Sequence, residues 1–232
     1  MKRFLLIFLL MFTPMTCEAV QEKDLNLDEI NAIQTRIDSV GTNILNHNKI
    51  TRRIVFTYDK RTKKKKLTTD KALTKRQIII YDGLYNSVQT DDELAALISR
   101  EISTVIKSYD GVWGGTIDSV QVALSSKKFE TAADKRAVDF MVNAGYNPLA
   151  LIVYINKTCP QKRFDKFSRH NLTSKRLARI YEYITYKYPQ YLENNKYINN
   201  KYYQNFLLTS IENRKKLEEK IKYKSYEELK YE

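Results

Sequence analysis

Within an apolar stretch from Leu94 to Ile106, the pair Arg100-Glu101 is followed by Thr104. Residues four apart share one face of a helix, so Arg100 and Thr104 would line up with Glu101 beside them. Further along, Glu130 and Asp134 are one helical turn apart, and His170 and Arg176 follow. Glu101 is of the type that takes a proton from a polarised water, and the two later carboxylates could hold a cation or pair with a guanidinium. A zinc ion needs neutral nitrogen, thiolate or carboxylate ligands. Arg100 stays charged at any ordinary pH and has no lone pair to donate, and the Thr104 hydroxyl is a poor substitute for imidazole. The chain has two histidines, His47 and His170, and two cysteines, Cys17 and Cys159. With Cys17 in an expected leader, neither a cysteine-ligated zinc nor an intrachain disulfide can form.

The elements that must position these residues are legible as hydrophobic periodicity. Leu27, Ile30, Ile33, Ile37, Val40 and Ile44 recur at helical spacing, and Asn46-His47-Asn48 ends that run. Arg53 to Tyr58 and Gln77 to Asp82 read as strands, joined by a polar stretch too long for a simple hairpin. Thr90-Asp91-Asp92-Glu93 opens the helix that carries Glu101: Thr90 or Asp91 can cap it and the acids suit its dipole. Its apolar residues fall on most sides, which predicts burial. Tyr109-Asp110-Gly111 ends it, and Trp113-Gly114-Gly115 follows in a loop. Ser126 to Ala144 predicts the helix of Glu130 and Asp134, with Gly145 placed to end it in the left-handed conformation and Pro148 to begin the next, through Ile155. Thr173 to Tyr186 and Ser210 to about Lys222 complete the helices.

The order of these blocks resembles the HtpX and BepA-like gluzincin metallopeptidases, related to the CAAX prenyl proteases and Oma-type peptidases. Members carry His-Glu-x-x-His on a buried helix, where two imidazoles grip zinc and the glutamate polarises its water. An Ile-rich strand, a Gly-Leu pair and an acid-rich start precede that helix, as Ile78 to Tyr81, Gly83-Leu84 and Asp91 to Ala95 do here. Glu130-Thr131-Ala132-Ala133-Asp134 resembles the family's Glu-x-x-Ala-Asp, and the match runs on through Arg136-Ala137 to Ala144-Gly145-Tyr146-Asn147-Pro148. His170-Asn171-Leu172-Thr173-Ser174-Lys175-Arg176 resembles Ser-His-Pro-x-x-x-x-Arg, with Asn171 where proline is usual. The three blocks cover about residues 50 to 185.

The resemblance implies an α+β, mostly α-helical, zincin-like fold with a small β-sheet. It places Glu101 at the general-base position, Arg100, Thr104 and Glu130 at vestigial metal-ligand positions, and Asp134, His170 and Arg176 around the cleft. With both histidines of the motif replaced, zinc is not expected, and Glu101 would face a water whose pKa stays near 15.7 rather than about 7. The expected replacement is the Arg100 guanidinium, reaching into the vacated space to pair with Glu130 in two-pronged fashion. Arg176 is read equally as a brace for Glu130 or as a solvated helix residue.

Lys2-Arg3, the apolar run Phe4 to Phe12 and Cys17-Glu18-Ala19 have the layout of a secretory signal, which predicts cleavage after Ala19 and export to the periplasm or beyond. The run is short of the roughly 20 residues that span a bilayer. A lipoprotein signal acylated at Cys17 is the alternative, and Pro14-Met15-Thr16 fits it poorly. The domains expected are a signal peptide at 1–19, a metallopeptidase-like domain at 20–190, and a Tyr/Asn/Lys-rich helical extension at 191–232. A formal charge of +13 favours anionic partners. No nucleic-acid motif accompanies it, and no span follows the leader. The resemblance, together with the expected leader, implies an exported pseudoenzyme that binds polypeptide or an envelope protein. An active metalloendopeptidase with an atypical metal site, and a module for anionic surface polymer, are the alternatives.

Overall fold

The structure is a computed structural model that describes residues 21–22, 25–62, 76–107, 126–159 and 171–231. The expected leader, residues 63–75 of the polar connection, the Tyr109 to Gly115 stretch and His170 lie outside the described residues. The chain is mostly helical with little sheet, as the sequence predicts. In order come β1 (Gln21–Glu22), α1 (Leu27–His47), β2 (Val55–Asp59), β3 (Arg61–Thr62), β4 (Gln77–Tyr81), α2 (Asp82–Tyr85), α3 (Asp91–Lys107), α4 (Ser126–Asn143), α5 (Leu149–Thr158), α6 (Thr173–Lys187), α7 (Gln190–Glu193), α8 (Lys201–Thr209) and α9 (Ile211–Lys222).

A reciprocal box opens α1. The Asn26 side chain accepts from the Glu29 amide at 2.7 Å, and the Glu29 carboxylate accepts from the Asn26 amide at 3.1 Å. This satisfies two amides that would otherwise be orphaned at the helix start. Ile37, Val40, Gly41 and Ile44 form its buried face. Gly41 is required there: a Cβ at that position would collide with the Phe56 ring. Strands β2 and β4 run parallel, with Phe56 opposite Ile78 and Tyr58 opposite Ile80. A parallel pair needs a crossover, which accounts for a connection too long for a hairpin. On the other side of β2, the Gln34 amide donates to the Phe56 carbonyl at 3.1 Å and accepts from the Tyr58 amide at 2.8 Å.

The expected strand from Gln77 to Asp82 stops one residue early. Asp82 accepts from the Tyr58 hydroxyl at 2.7 Å and from Asn86 at 2.9 Å, and its carbonyl takes the Asn86 amide, so the chain turns into α2. Thr90 caps α3 by accepting the Glu93 amide at 3.2 Å. Leu94 to Ile98 are all fully buried, as are Ile102 and nearly so Val105. Helix α3 therefore runs through the middle of the core, against α1, α4 and α5. Gly145 ends α4 at φ +81°, with the Tyr146 amide reaching back to the Met141 carbonyl at 2.9 Å. The buried run Leu149 to Ile155 makes α5 apolar all round, wedged between α3, α6 and α8. Tyr197, Tyr203 and Phe206, all from beyond residue 190, join the same core.

Candidate functional site

Helices α3, α4 and α6 converge on one buried ionic cluster. Helix α3 contributes Arg100 and Glu101, α4 contributes Glu130 and Asp134, and α6 contributes Arg176. Glu101, Glu130, Asp134 and Arg176 are buried, and Arg100 nearly so. Burying five ionisable groups is tolerable only if each is paired, since an uncompensated charge would cost several kcal/mol, on the order of the effective ion desolvation penalty.

The pairing differs in detail from the expected one. Arg100 does reach across to α4, but its main partners are Asp134, at 3.3 Å from Nε, and Glu101, at 3.1 Å from Nη1. Its closest approach to Glu130 is 3.9 Å, which is proximity rather than a hydrogen bond. The two-pronged contact belongs to Arg176, whose Nε and Nη2 each donate to Asp134 at 2.9 Å. Its third nitrogen lies 3.4 Å from Glu130 and donates to the Cys159 thiol at 3.5 Å. The reason is register: Asp134 sits one turn deeper on α4, level with both guanidinium groups, whereas Glu130 faces the start of α6. Arg176 is thus a buried brace and not a solvated helix residue. Burial acts to lower its pKa, but Asp134 outweighs this and holds it well above the ordinary arginine value. For Arg100, burial and the Arg176 cation both pull downward, and Glu101 and Asp134 more than offset them. Both stay charged.

Glu130 is held by a residue that the sequence marks only as a departure from the family pattern. The Asn171 backbone amide donates to Glu130 Oε2 at 2.8 Å, and its side-chain amide donates to the same oxygen at 3.1 Å. Proline at 171 could supply neither donor. The Asn171 side chain also donates to the Lys127 carbonyl at 2.8 Å, tying the start of α6 to α4. Thr104 turns inward on its own helix and donates to the Arg100 carbonyl at 3.1 Å. From α5, Tyr154 adds a buried hydroxyl near Glu101, Arg100 and Cys159. It has no hydrogen-bond partner among the described residues, and burial pushes its ionisation well above the usual phenol range.

This donor set does not suit zinc. At Arg100 and Thr104 the cluster offers a guanidinium, which has no lone pair for a metal, and a hydroxyl already committed to backbone. Among the described residues, no group of three or more His, Cys, Asp or Glu side chains is placed to hold a metal ion. Glu101, the one residue typed for proton transfer, accepts from Arg100 instead of facing open solvent.

Two further buried carboxylates escaped the sequence reading. Glu93 pairs with Lys157 of α5 at 3.0 Å, and Asp92 binds the Asn147 amide, Lys196 and the Tyr197 hydroxyl at 2.9–3.0 Å. The acid-rich start of α3 reads as dipole matching, and it serves as cross-links to α5 and to the 196–197 segment. No helix among the described residues is long and apolar enough to cross a membrane. Comparison with protein-family models, curated proteins and solved structures gives no significant match.

Proposed function

We propose that this chain is a zincin-like, gluzincin-derived pseudopeptidase that binds polypeptide in the cell envelope without cleaving it. The observation that carries this reading is the pair of guanidinium groups, Arg100 and Arg176, set among Glu101, Glu130 and Asp134. In the resemblance drawn from sequence, Arg100 and Glu130 stand at ligand positions, so a cation of the chain itself does the electrostatic work of the ion. Without a Lewis acid, water at this site keeps its bulk acidity and Glu101 has no activated nucleophile to generate. The cluster therefore preserves the packing of three helices and gives up hydrolysis. What remains useful in such a fold is its surface for extended chains.

The test is a paired measurement on purified protein. Zinc is quantified after exhaustive dialysis, and binding and cleavage of a permanently unfolded protein, such as reduced and alkylated casein or lactalbumin, are followed together. The expected outcome is substoichiometric zinc with saturable binding and no cleavage. About one zinc per chain accompanied by proteolysis would overturn the proposal, as would failure to bind any unfolded chain.

A further inference from the structure

A groove of about 840 Å³ opens between α4 and α6, beside the ionic cluster. It shares Asn171 with that cluster, and Thr131, one residue beyond Glu130, lies in its wall. Its charge is lopsided. Lys127, Lys128, Lys135, Arg179 and Lys220 line it against two carboxylates, Glu182 and Glu228. Lys220 is taken by Glu182 at 3.2 Å, and Arg179 donates to the Thr131 hydroxyl at 3.0 Å. Lys128 and Lys135 have no carboxylate within ion-pairing distance among the described residues, and Lys135 lies 5.5 Å from the centre of the Tyr183 ring. Tyr183 and Tyr186 add aromatic wall on the α6 side. A concave surface of this size, apolar in part and with cations converging on it, is the form of a binding site for an anionic chain.

The chain itself shows what kind of segment lies there. After α9, residues 223–231 run without regular structure, and Glu228 and Leu229 of this segment form part of the groove's lining. Tyr226 is fully exposed, yet Tyr231 is only 5% exposed, tucked beside Glu182, Tyr186 and Arg179. The helix it leaves, α9, is tied to α6 by the Lys220–Glu182 pair, and at its far end the segment is held by the buried Tyr231 ring. Residues 225–231 read Ser-Tyr-Glu-Glu-Leu-Lys-Tyr, an acidic pair followed by an aliphatic residue, a lysine and an aromatic residue. Lys224 and Lys230 balance Glu227 and Glu228 over residues 223–231, so the complement to the groove's cations is local, at Glu228, with Leu229 beside it on the apolar wall.

We propose that this groove binds an acidic, aromatic-bearing stretch of polypeptide, and that residues 223–231 act as an intramolecular strap that competes with it. The inference rests on the polypeptide-binding reading above and specifies its ligand. Charge steers the acidic stretch toward Lys128 and Lys135, and an aromatic side chain displaces Tyr231 from its seat. The strap keeps the groove from holding weaker, merely anionic chains.

Fluorescence anisotropy on the full chain tests this with three labelled peptides: the sequence of residues 225–231, a version with both glutamates changed to lysine, and one with tyrosines and leucine changed to serine. The first is expected to bind, and the other two to bind at least about tenfold more weakly, with affinity falling as salt rises. Tyr231→Ala and, independently, Glu228→Lys free the groove and should each tighten binding of the first peptide by about tenfold, the proportion expected when a competing state is removed. Lys128→Glu with Lys135→Glu should abolish most of it, while Lys49→Glu with Arg53→Glu, exposed cations that do not line the groove, should change little. Equal binding of all three peptides, or no gain in either strap variant, overturns the proposal. Polyphosphate competing as well as the first peptide marks plain polyanion binding and also overturns it. If casein binds but the acidic peptide does not, the groove assignment fails alone; if neither binds, the function fails with it.

Discussion

Truncating Arg176 to alanine is the perturbation whose cost can be worked most directly from the structure. Arg176 is 4% exposed and Asp134 2% exposed, and the two share a bidentate contact at 2.9 Å on each arm. Removing the guanidinium leaves Asp134 with Arg100 at 3.3 Å, and leaves Glu130 with the two Asn171 donors. Breaking a buried pair by deleting one partner costs about 3–5 kcal/mol. The surviving Arg100 contact argues for the lower end, about 3 kcal/mol. With a urea slope of about 2 kcal/mol/M, that lowers the midpoint by about 1.5 M. Lys196→Ala is the matched control: its side chain is 66% exposed, Asp92 keeps two other donors, and the expected loss is about 0–1 kcal/mol. Arg176→Met combined with Asp134→Leu removes both charges and should recover most of the loss, since apolar replacements of buried pairs are often neutral. Equilibrium urea unfolding followed by circular dichroism reads all three. A midpoint for Arg176→Ala no lower than that for Lys196→Ala would refute the view that this cluster anchors α4 to α6.

Three other outcomes follow from the same geometry. Arg100→His with Thr104→His places an imidazole pair one turn apart beside Glu130, and should take up zinc in part, because Arg176 and Asn171 still hold Glu130; zinc content after dialysis no greater than in the parent would refute it. Gly41→Ala, ordinarily favourable in a helix by up to about 1 kcal/mol, should instead destabilise by about 1–3 kcal/mol by driving a methyl into the Phe56 ring; a raised melting temperature would count against the packing described. Burial pushes the Tyr203 hydroxyl up to about 12, and burial with Asp139 does the same for Tyr188, against about 10 in the unfolded chain. The folded state then holds these protons more tightly, so their contribution is complete below about pH 10 and is lost as pH rises toward 12; a phenolate absorbance titration with all tyrosines ionising together near 10 in native protein would contradict it.

The main helices were legible because their apolar residues recur at helical spacing and their ends carry chemical signals. Asn48, Gly145 and Pro148 sit at or beside the observed boundaries. Strand direction was not legible, since a run such as Gln77 to Tyr81 has the same alternation whichever way its neighbour points. The approach of Arg100 to the carboxylates of α4 was expected from the resemblance in block order, whereas Arg176 read equally as a brace or as a solvated residue. The division of bonds among them was not, because two arginines and three carboxylates allow several pairings and only the register of α3 against α4 selects one. Asn171 is the instructive miss. As a departure from a family pattern it looks like lost chemistry, and its two donors become visible only when the start of α6 is placed beside Glu130.

The contact between Gln34 and β2 has a consequence for assembly. A two-stranded sheet exposes rows of unpaired amides and carbonyls, and such rows recruit other extended chains, including copies of the same protein. On the α1 side of β2, one glutamine fills the slot that a neighbouring strand would take, donating and accepting as a backbone would. The plug is carried on a helix that is itself fixed in the core, so it does not leave with solvent fluctuations of a loop. An extended partner is thereby turned away from this edge of the sheet, and copies of the chain cannot template one another's aggregation there.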